Sequence, residues 1–356
     1  MAERRAGRVV ALQANFCQVE LDAPGPAERR RLLCTRRTRL AKSGERICVG
    51  DRVVVDGLDW SAGRAAVAAV ESRSSLLLRP AVANVDRVLV VVALVEPALD
   101  PLQLTRFLIT AEASGCGVQV VFSKADLVAP QLASHWCERV QGWGYPALAV
   151  SGVSGAGLEP LRAALSEPGL SVLCGPSGVG KSSLLNALLP ALQLRTAELS
   201  GRLRRGRHTT RHVELFALAP GALVADSPGF NRPELPRDPA ALAALFPELR
   251  AALAGRCCRF RDCRHQGDPG CVLAADWDRR ALYGQCLLEL EGRAQPRPGD
   301  SGAEPAGLRR RGGLRQRGGR LEPLLDPRLR QISRRRARQD GPDEDESCLS
   351  PPGPAD

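Results

Sequence analysis

The stretch that decides the fold is Gly175-Pro176-Ser177-Gly178-Val179-Gly180-Lys181-Ser182-Ser183. It matches the pattern G-x-x-x-x-G-K-[ST], follows an apolar strand-like run and precedes the helical run 184–189. Glycines at these positions let backbone N–H groups close around phosphate oxygens at a helix N-terminus, where anions are favoured. The pattern predicts a phosphate-binding loop in which Lys181 neutralises the β- and γ-phosphates and Ser182 ligates Mg²⁺.

The sequence on both sides of this loop reads as an α/β domain. Strand-like runs alternate with amphipathic stretches such as 102–113 and 131–141, which favours a mostly parallel sheet. The strand candidates are residues 85–93, 118–122, 147–150, 171–174, 213–218 and 222–225.

A second motif, Ser123-Lys124-Ala125-Asp126, comes directly after one of these strands. A carboxylate at Asp126 can accept from both N1–H and N2–H₂ of guanine, whereas adenine has no such pair of donors. Lys124 can lay its apolar stem on the base. The motif therefore predicts GTP and GDP as the nucleotides. GTPases usually have Asn in place of Ser123, and the shorter side chain is expected to weaken base affinity.

A third motif, Asp226-Ser227-Pro228-Gly229, ends the strand candidate 222–225 and matches D-x-x-G. Asp226 is expected to hold Mg²⁺ through water, and the Gly229 N–H is expected to contact the γ-phosphate. The next residue is Phe230, where many GTPases have a water-orienting Gln. A phenylalanine cannot polarise water, so another group or a partner must do so.

A basic segment lies between the phosphate-binding loop and Asp226, and it includes Gly206-Arg207-His208-Thr209-Thr210. Thr209 is a candidate Mg²⁺ ligand, with Thr210 as the alternative. His208 is a candidate for orienting the attacking water in place of the missing Gln. The alternative for His208 is an exposed basic loop without a catalytic role.

The order of these motifs is their most diagnostic property. Common GTPases run from the phosphate-binding loop through the threonine and D-x-x-G to N-K-x-D and S-A. Here the Ser123 motif and then the pair Ser151-Gly152 both precede the phosphate-binding loop. The Ser151-Gly152 pair is expected to support guanine O6 through a backbone N–H. A closed set of strand contacts tolerates this rotation, because joined ends can be reopened elsewhere. The pattern predicts a circularly permuted GTPase domain over residues 73–235.

The cysteine cluster reads Cys258-x4-Cys263-x-His265-x5-Cys271. Three thiolates and one imidazole suit a tetrahedral, structural Zn²⁺ site, while core or reactive cysteines are the alternative. Cys257 is adjacent to Cys258, and spacing alone leaves it open as the ligand. We expect a mainly helical zinc-binding domain over residues 236–292, with helical stretches at 238–254 and 276–291.

The two ends of the chain differ in character. Residues 1–72 alternate short β-rich runs with turns, which predicts a small barrel or sandwich; a barrel of oligonucleotide-binding (OB) type is one such fold, although the pattern alone does not fix the barrel class. Its strand candidates are 7–10, 16–21, 31–34, 51–55 and 65–70. Residues 293–356 are rich in Arg, Gly and Pro and are expected to be disordered.

Composition narrows the class of partner and the compartment. The net charge of +11 and the pI of about 9.4 favour an anionic partner such as nucleic acid. The longest apolar run, 88–95, is too short to span a membrane, and the N-terminus lacks an apolar signal core. We therefore expect a cytoplasmic location without a membrane partner. In that compartment disulfides are not expected, and scattered cysteines such as Cys17, Cys116 and Cys174 are expected to be core residues. Nothing in the sequence indicates an oligomer, so a monomer is expected.

These motifs together resemble the small ribosomal subunit biogenesis GTPases known as the RsgA, YjeQ or EngC family, over about residues 7–291. Further matches are Asp226-Ser227-Pro228-Gly229-Phe230, Arg79-Pro80, Ala83-Asn84-Val85-Asp86, Gly7-Arg8-Val9-Val10 and Asn15-Phe16. The resemblance implies an OB-type barrel over residues 1–72 that binds RNA or the ribosome, a circularly permuted GTPase domain and a zinc domain. It also implies binding to the small ribosomal subunit and its rRNA in late maturation, with hydrolysis stimulated by the ribosome. The family commonly has Asn in place of Ser123 and Thr in place of Ser227.

Two other functions stay open on the sequence alone. One is an ATP-binding P-loop enzyme, for which Ser123 is the best argument. The other is an RNA-binding protein with weak nucleotide turnover, against which Lys181, Ser182 and Asp226 stand. For the GTPase, the short distance along the chain from Asp226 to the zinc domain suggests that GTP holds a ribosome-binding conformation and that hydrolysis releases it.

Overall fold

The N-terminal strands form a small closed barrel. The computed structural model describes residues 3–13, 16–36, 46–78, 81–190, 213–226, 233–260, 262–273, 276–294, 308–311 and 320–323. The barrel strands are β1 (Arg4–Leu12), β2 (Phe16–Leu21), β3 (Arg31–Arg36), β4 (Arg52–Asp59) and β5 (Arg64–Val70). They pair in the order β1-β2-β3-β5-β4, and β4 pairs back onto β1, which closes the sheet.

The alternation of residue types explains why the barrel closes. Val9, Val19, Val53 and Val67 face one shared interior and are fully buried, while the residues that alternate with them face away from it; Val10, for example, is buried in the core of the α/β domain instead. The observed strands are longer than the apolar runs in the sequence, because residues at their polar ends also join the sheet. For example, Arg4 of β1 pairs with Asp56 of β4. The predicted OB-type barrel is confirmed. A hairpin of β6 (Leu76–Leu78) and β7 (Ala81–Ala83) follows it, and these three-residue strands were too short to predict.

The central α/β domain is built on six strands, in sheet order β10-β9-β8-β11-β13-β12. All neighbours are parallel except β12, which is antiparallel to β13. Ala11 of β1 pairs with Glu214 of β12 and continues this sheet into the barrel. The strands are β8 (Arg87–Ala93), β9 (Gly117–Ser123), β10 (Ala147–Ala149), β11 (Gly169–Cys174), β12 (Glu214–Ala219) and β13 (Ala222–Asp226).

Helices cover both faces of this sheet. Alternate residues of β8 enter two separate cores, with Val90 on one side and Val91 on the other. Helices α1 (Pro101–Glu112) and α2 (Pro130–Gly142) pack on the Val90 side, and α3 (Leu158–Ser166) and α4 (Lys181–Leu188) pack on the Val91 side. Because both faces are buried, the central strands are mostly apolar, as in β8. The predicted α/β architecture is therefore confirmed.

The C-terminal part of the first compact unit is helical but more broken than predicted. The expected helix over 238–254 is wrong: the structure has two 3₁₀ turns, Pro239–Ala241 and Ala243–Leu245, followed by α5 (Pro247–Leu253). Pro247 has no N–H for a continuing helix, and Phe246 before it is extended. The second expected helix is α6, which runs over Arg280–Ala294.

A buried arginine joins this helical part to the α/β domain. The side chain of Arg279 is 0% exposed and donates to both carboxylate oxygens of Glu248, each at 2.6 Å. Its guanidinium also lies 4.6 Å from the ring centre of Trp143 and 4.5 Å from that of Phe246. Since Trp143 ends α2 and Phe246 precedes α5, the charge pair and its aromatic neighbours fix the two parts against each other.

The Arg279→Ala variant is expected to lose about 3–5 kcal/mol of unfolding free energy, because Glu248 would keep a largely buried charge without a partner. Urea unfolding followed by circular dichroism measures this loss. Arg293→Ala is the matched control on α6, since the ion pair between Arg293 and Glu289 is exposed and contributes about 0–1 kcal/mol. An equally small effect of both substitutions would contradict the role given to Arg279.

Residues 1–294 form one compact unit, and Gln295–Asp356 form a second. In the second unit the structure describes an antiparallel pair of strands, β14 (Leu308–Arg311) and β15 (Arg320–Pro323). The expectation of disorder for residues 293–356 stays a prediction, and apart from these eight residues and 293–294 the tail lies outside the described ranges. Among the described helices, none combines the length and apolar character needed to cross a membrane.

Candidate nucleotide and metal sites

The phosphate-binding loop connects β11 to α4, as its sequence predicts. Gly175 has φ +139, and a Cβ at this position would lie 2.0 Å from the carbonyl oxygen of Val91 on the neighbouring strand. Gly180 has φ +88 and precedes the first residue of α4, which is Lys181. The loop therefore needs glycine at position 175 because a side chain has no space there, and at position 180 because the backbone is left-handed. Its N–H groups lie at a helix N-terminus, where phosphate is favoured.

Lys181 lies within this loop. Its Nζ donates to the carbonyl oxygen of Gly175 at 2.8 Å and to that of Pro176 at 2.7 Å. The ammonium is thus held where the loop curves around the phosphate position. Cys174 below the loop is fully buried, and this burial raises the pKa of its thiol, so it acts as a protonated core group.

Ser123 is buried beside the phosphate-binding loop and bonds to it directly. Its hydroxyl is 2.6 Å from the carbonyl oxygen of Val179 and 3.2 Å from that of Val92. From the motif alone, Ser123 is expected only as a shortened contact to the base. The structure brings it into the contact between the S-K-x-D motif and the phosphate-binding loop, and this hydrogen bond aligns the two.

The other two residues of the S-K-x-D motif differ in their contacts. Lys124 has φ +56, and its ammonium donates to the carbonyl oxygen of Glu96 in the loop after β8. Asp126 is exposed, and its carboxylate has no partner among the described residues. A free carboxylate at the end of β9 is available to accept hydrogen bonds from a ligand.

The pair Ser151-Gly152 lies close to the start of α4. The Ser151 hydroxyl is fully buried and accepts from the N–H groups of Val153 at 3.2 Å and Ser154 at 3.0 Å, which fixes the turn after β10. A Cβ at Gly152 would lie 3.6 Å from the carbonyl oxygen of Ser183, an ordinary contact. The structure therefore accommodates alanine here and brings this turn next to the phosphate-binding loop.

Asp226 ends β13 directly beside the phosphate-binding loop. It pairs in register with Leu173 of β11, one residue before the strand ends at Cys174. The S-K-x-D motif, the Ser151-Gly152 turn, the phosphate-binding loop and Asp226 thus meet at the carboxyl edge of one parallel sheet. The remaining predicted site residues, His208, Thr209 and Gly229, lie outside the described residues.

The cysteine cluster has the geometry of a tetrahedral metal site. His265 Nδ1 lies 3.7 Å from Cys258 Sγ, 3.6 Å from Cys263 Sγ and 3.6 Å from Cys271 Sγ. Cys258 Sγ and Cys271 Sγ are 3.9 Å apart, and all four atoms lie within 4.8 Å of one another. Zinc bonds of about 2.3 Å to sulfur and 2.1 Å to nitrogen give tetrahedral edges of about 3.5–3.8 Å. The four side chains therefore fit zinc.

The backbone of this segment explains which residues converge. His265, Gly267 and Gly270 have φ values of +59, +100 and +76, which fold the chain tightly back on itself. Burial lowers the pKa of His265, which favours the neutral imidazole that binds a metal. Cys257 is exposed and lies outside the cluster, so the structure selects Cys258 from the adjacent pair.

Two groups that contact the candidate sites are hard to recognise from the sequence. The Glu96 carbonyl holds Lys124, and the only hint is that Pro97 marks a turn after β8. The Asp268 carboxylate lies 3.7 Å from Cys263 Sγ and accepts from the Gln266 N–H at 3.1 Å. An aspartate next to a cysteine cluster could have been expected to orient a ligand.

Comparison with known proteins agrees with this geometry. The family model described as RsgA GTPase matches residues 70–236. A protein from Synechococcus sp. (strain CC9605) named small ribosomal subunit biogenesis GTPase RsgA is 56% identical over 294 residues, which cover 83% of this chain and 97% of that protein. The protein of the same name from Thermosynechococcus vestitus is 47% identical over 334 residues, 94% of each chain.

Solved structures share the architecture. The crystal structure of YjeQ from Thermotoga maritima matches with a TM-score of 0.68 and 32% identity, over 82% of this chain and all (100%) of that one. The structure of YloQ, described as a circularly permuted GTPase, matches with a TM-score of 0.66 and 26% identity, over 82% of this chain and 97% of that one. The protein is a GTP-hydrolysing member of the RsgA GTPase family, and its nucleotide-site motifs occur in circularly permuted order.

Proposed function

We propose that the chain binds the small ribosomal subunit through its rRNA and acts in late maturation of that subunit. Binding of the subunit stimulates GTP hydrolysis, and the nucleotide state controls release. The observation that carries this proposal is the 56% identity, over 97% of its length, to a protein named for small ribosomal subunit biogenesis. The net charge of +11 is consistent with an RNA partner.

Within the nucleotide site, we assign the phosphates to the loop Gly175–Ser183 and the charge on Lys181 to the β- and γ-phosphates. Asp126 accepts from guanine, Lys124 covers the base, and the turn at Ser151-Gly152 donates to O6. The support for this assignment is that these groups share one sheet edge. Gly229 is assigned to the γ-phosphate from its motif alone.

The donor set suits Mg²⁺, which prefers hard oxygen ligands. The Ser182 hydroxyl, at the start of α4, and the Asp226 carboxylate, at the end of β13, are the proposed oxygen donors, and β11, which precedes α4 in the chain, pairs with β13. Thr209 is the third proposed donor, with Thr210 as the alternative. When bound, Mg²⁺ neutralises charge on the transferring phosphate. Zn²⁺ in the cysteine cluster has a structural role, because all four ligand positions come from the protein.

Asp126→Ala is expected to weaken GTP binding by roughly 10²-fold, because two hydrogen bonds to a charged acceptor are lost. It should also remove the preference for GTP over ATP, which competition against a fluorescent GTP analogue measures. Glu159→Ala is the matched control, since this carboxylate on α3 is 86% exposed and belongs to none of the nucleotide motifs. Unchanged selectivity in Asp126→Ala would remove this residue from base recognition and favour the ATP-binding alternative.

His208→Ala is expected to lower stimulated turnover by about 10²-fold while GTP still binds, since a general base or water-orienting group contributes about that much. Phe230 at the usual glutamine position leaves this role open for the histidine. The measurement is phosphate release at saturating small subunits, with nucleotide affinity measured in parallel. Equal turnover of variant and unaltered protein would exclude His208 from the reaction.

The experiment that tests the proposed function compares GTP turnover alone, with purified small subunits and with purified large subunits. A large stimulation by the small subunit alone supports the proposal. Equal rates in all three conditions would contradict it and favour an RNA-binding protein with weak turnover.

Co-sedimentation of the chain with small subunits in the presence of GTP, a non-hydrolysable analogue or GDP tests whether the nucleotide state controls release. Analytical ultracentrifugation of the free chain tests the proposed monomer. Ribosome maturation implies that the protein acts in the cytoplasm.

A further inference from the structure

A charged cleft lies where the barrel meets the α/β domain. It has a volume of about 430 Å³ and is formed by barrel strands β1, β2 and β4, by the segment before β3, and by the β12–β13 hairpin. Its charged lining consists of Arg8, Glu20, Asp22, Arg30 and Arg52. The nucleotide site and the metal cluster use none of these residues.

The two carboxylates of the cleft are already paired. Asp22 accepts from both terminal nitrogens of Arg52, at 2.6 Å and 2.5 Å. Glu20 accepts from Arg31 at 3.0 Å, and Arg31 does not line the cleft. The cleft arginines that remain without an ion pair to a described residue are therefore Arg8 and Arg30.

Arg8 is half-buried and has no side-chain hydrogen bond or ion pair with any described residue. Its Nη1 is fully buried without a partner, although a guanidinium has five N–H donors. Burial lowers the pKa of Arg8, and the like charge of Arg52 lowers it further, while Asp86 and Asp22 act in the opposite direction. An anion in the cleft would compensate the positive charge of this guanidinium.

Arg30 provides a second guanidinium at the edge of the cleft. It is exposed and likewise makes no side-chain hydrogen bond or ion pair with the described residues. Planar guanidinium groups match the oxygens of a phosphate, which can accept from both arginines. The volume is in the range that holds a nucleotide-sized group.

We propose that this cleft binds a phosphate group of an RNA backbone through Arg8 and Arg30. The proposal rests on the proposed function, since the RNA is that of the small subunit. It assigns one RNA contact to the junction of barrel and α/β domain rather than to the barrel alone. Strand β13 runs from this cleft, at Leu223, to Asp226 in the nucleotide site.

The test measures binding of the full chain to purified small subunits and to a short single-stranded RNA, each over a range of salt concentrations. Arg8→Gln and Arg30→Gln are each expected to weaken binding about 10-fold and to reduce the slope of log Kd against log salt by about one. Arg64→Gln is the control, because this exposed barrel arginine does not line the cleft. Basal GTP turnover should stay unchanged in all three variants.

The outcomes separate this inference from the proposed function. If the unaltered chain binds RNA in an Arg8-dependent manner but does not bind the subunit, the proposed function fails and the cleft remains an RNA site. If both cleft variants bind like the unaltered chain, the inference is overturned. Loss of affinity equal to that of Arg64→Gln also overturns it. Full displacement of RNA by millimolar inorganic phosphate or by polyglutamate would show a small-anion or acidic-protein site instead. Arg30→Gln, at an exposed position, keeps the test valid if Arg8→Gln does not fold.

Discussion

GTP turnover by the Lys181→Ala variant is expected to fall by about 10²–10³-fold, the usual cost of removing one preorganised charge that faces the reacting phosphate. Lys181 is the first residue of α4, and its Nζ is held between the carbonyl oxygens of Gly175 and Pro176 at 2.8 Å and 2.7 Å. These contacts point the ammonium across the loop, where the β- and γ-phosphates are proposed to bind. Phosphate release with small subunits present is the measurement.

The control for this prediction separates charge from shape. Lys181→Arg keeps the positive charge, but a planar guanidinium is larger than the ammonium that fits between the two carbonyl groups. We expect it to be defective as well, with circular dichroism and melting temperature close to those of the unaltered chain. Wild-type turnover in Lys181→Ala would contradict the assignment of the loop as the catalytic phosphate site.

The elements of the fold could be predicted because their residue patterns are local. The apolar run 88–93 gives β8, and the glycines of residues 175–180 mark the turn that follows β11. The strand order in the sheet could not be predicted, since periodicity does not specify which strand pairs with which. The broken segment at 238–254 was missed because its Ala and Leu content outweighed the signal of Pro247.

The candidate site could be predicted as a set of motifs, but not as a set of contacts. Ser123 and Val179 are separated by 56 positions, and only the fold brings the hydroxyl within 2.6 Å of the loop carbonyl. Since common GTPases have Asn in place of Ser123, the sequence suggests a weakened contact between this residue and the base. The structure adds a second role in which a short hydroxyl suffices, because β9 ends close to the loop.

The structure also changes how nucleotide state could reach the zinc domain. The sequence suggested only the connection along the chain after Asp226. In the structure the helical domain packs on α1, where Ile109 joins its core and Arg106 pairs with Glu289 of α6. Helix α1 follows the loop that contains Glu96, whose carbonyl accepts from Lys124 of the S-K-x-D motif. The S-K-x-D motif and the helical domain that contains the cysteine cluster are therefore joined by a second set of contacts through α1.

Cys258→Ser is expected to reduce bound zinc from about one ion per chain to almost none, since a hydroxyl does not replace a thiolate in a tetrahedral Zn²⁺ site. The adjacent Cys257→Ser should retain the metal, because Cys257 is exposed and outside the cluster. Elemental analysis of the purified variants measures the zinc content. This pair is a stringent control, since the two substitutions are chemically identical and differ by one position.

Loss of zinc should be local in its effect on folding. The cluster lies in the segment between α5 and α6, whereas Phe246, Leu249 and Tyr283 form an apolar core that does not include the metal ligands. We therefore expect Cys258→Ser to lower the thermal stability of the C-terminal domain and to leave basal GTP turnover near its original value. If Cys257→Ser lost the metal and Cys258→Ser kept it, the ligand assignment would be wrong. Collapse of basal turnover together with the zinc would instead mean that the metal supports the nucleotide site through the contacts of α1.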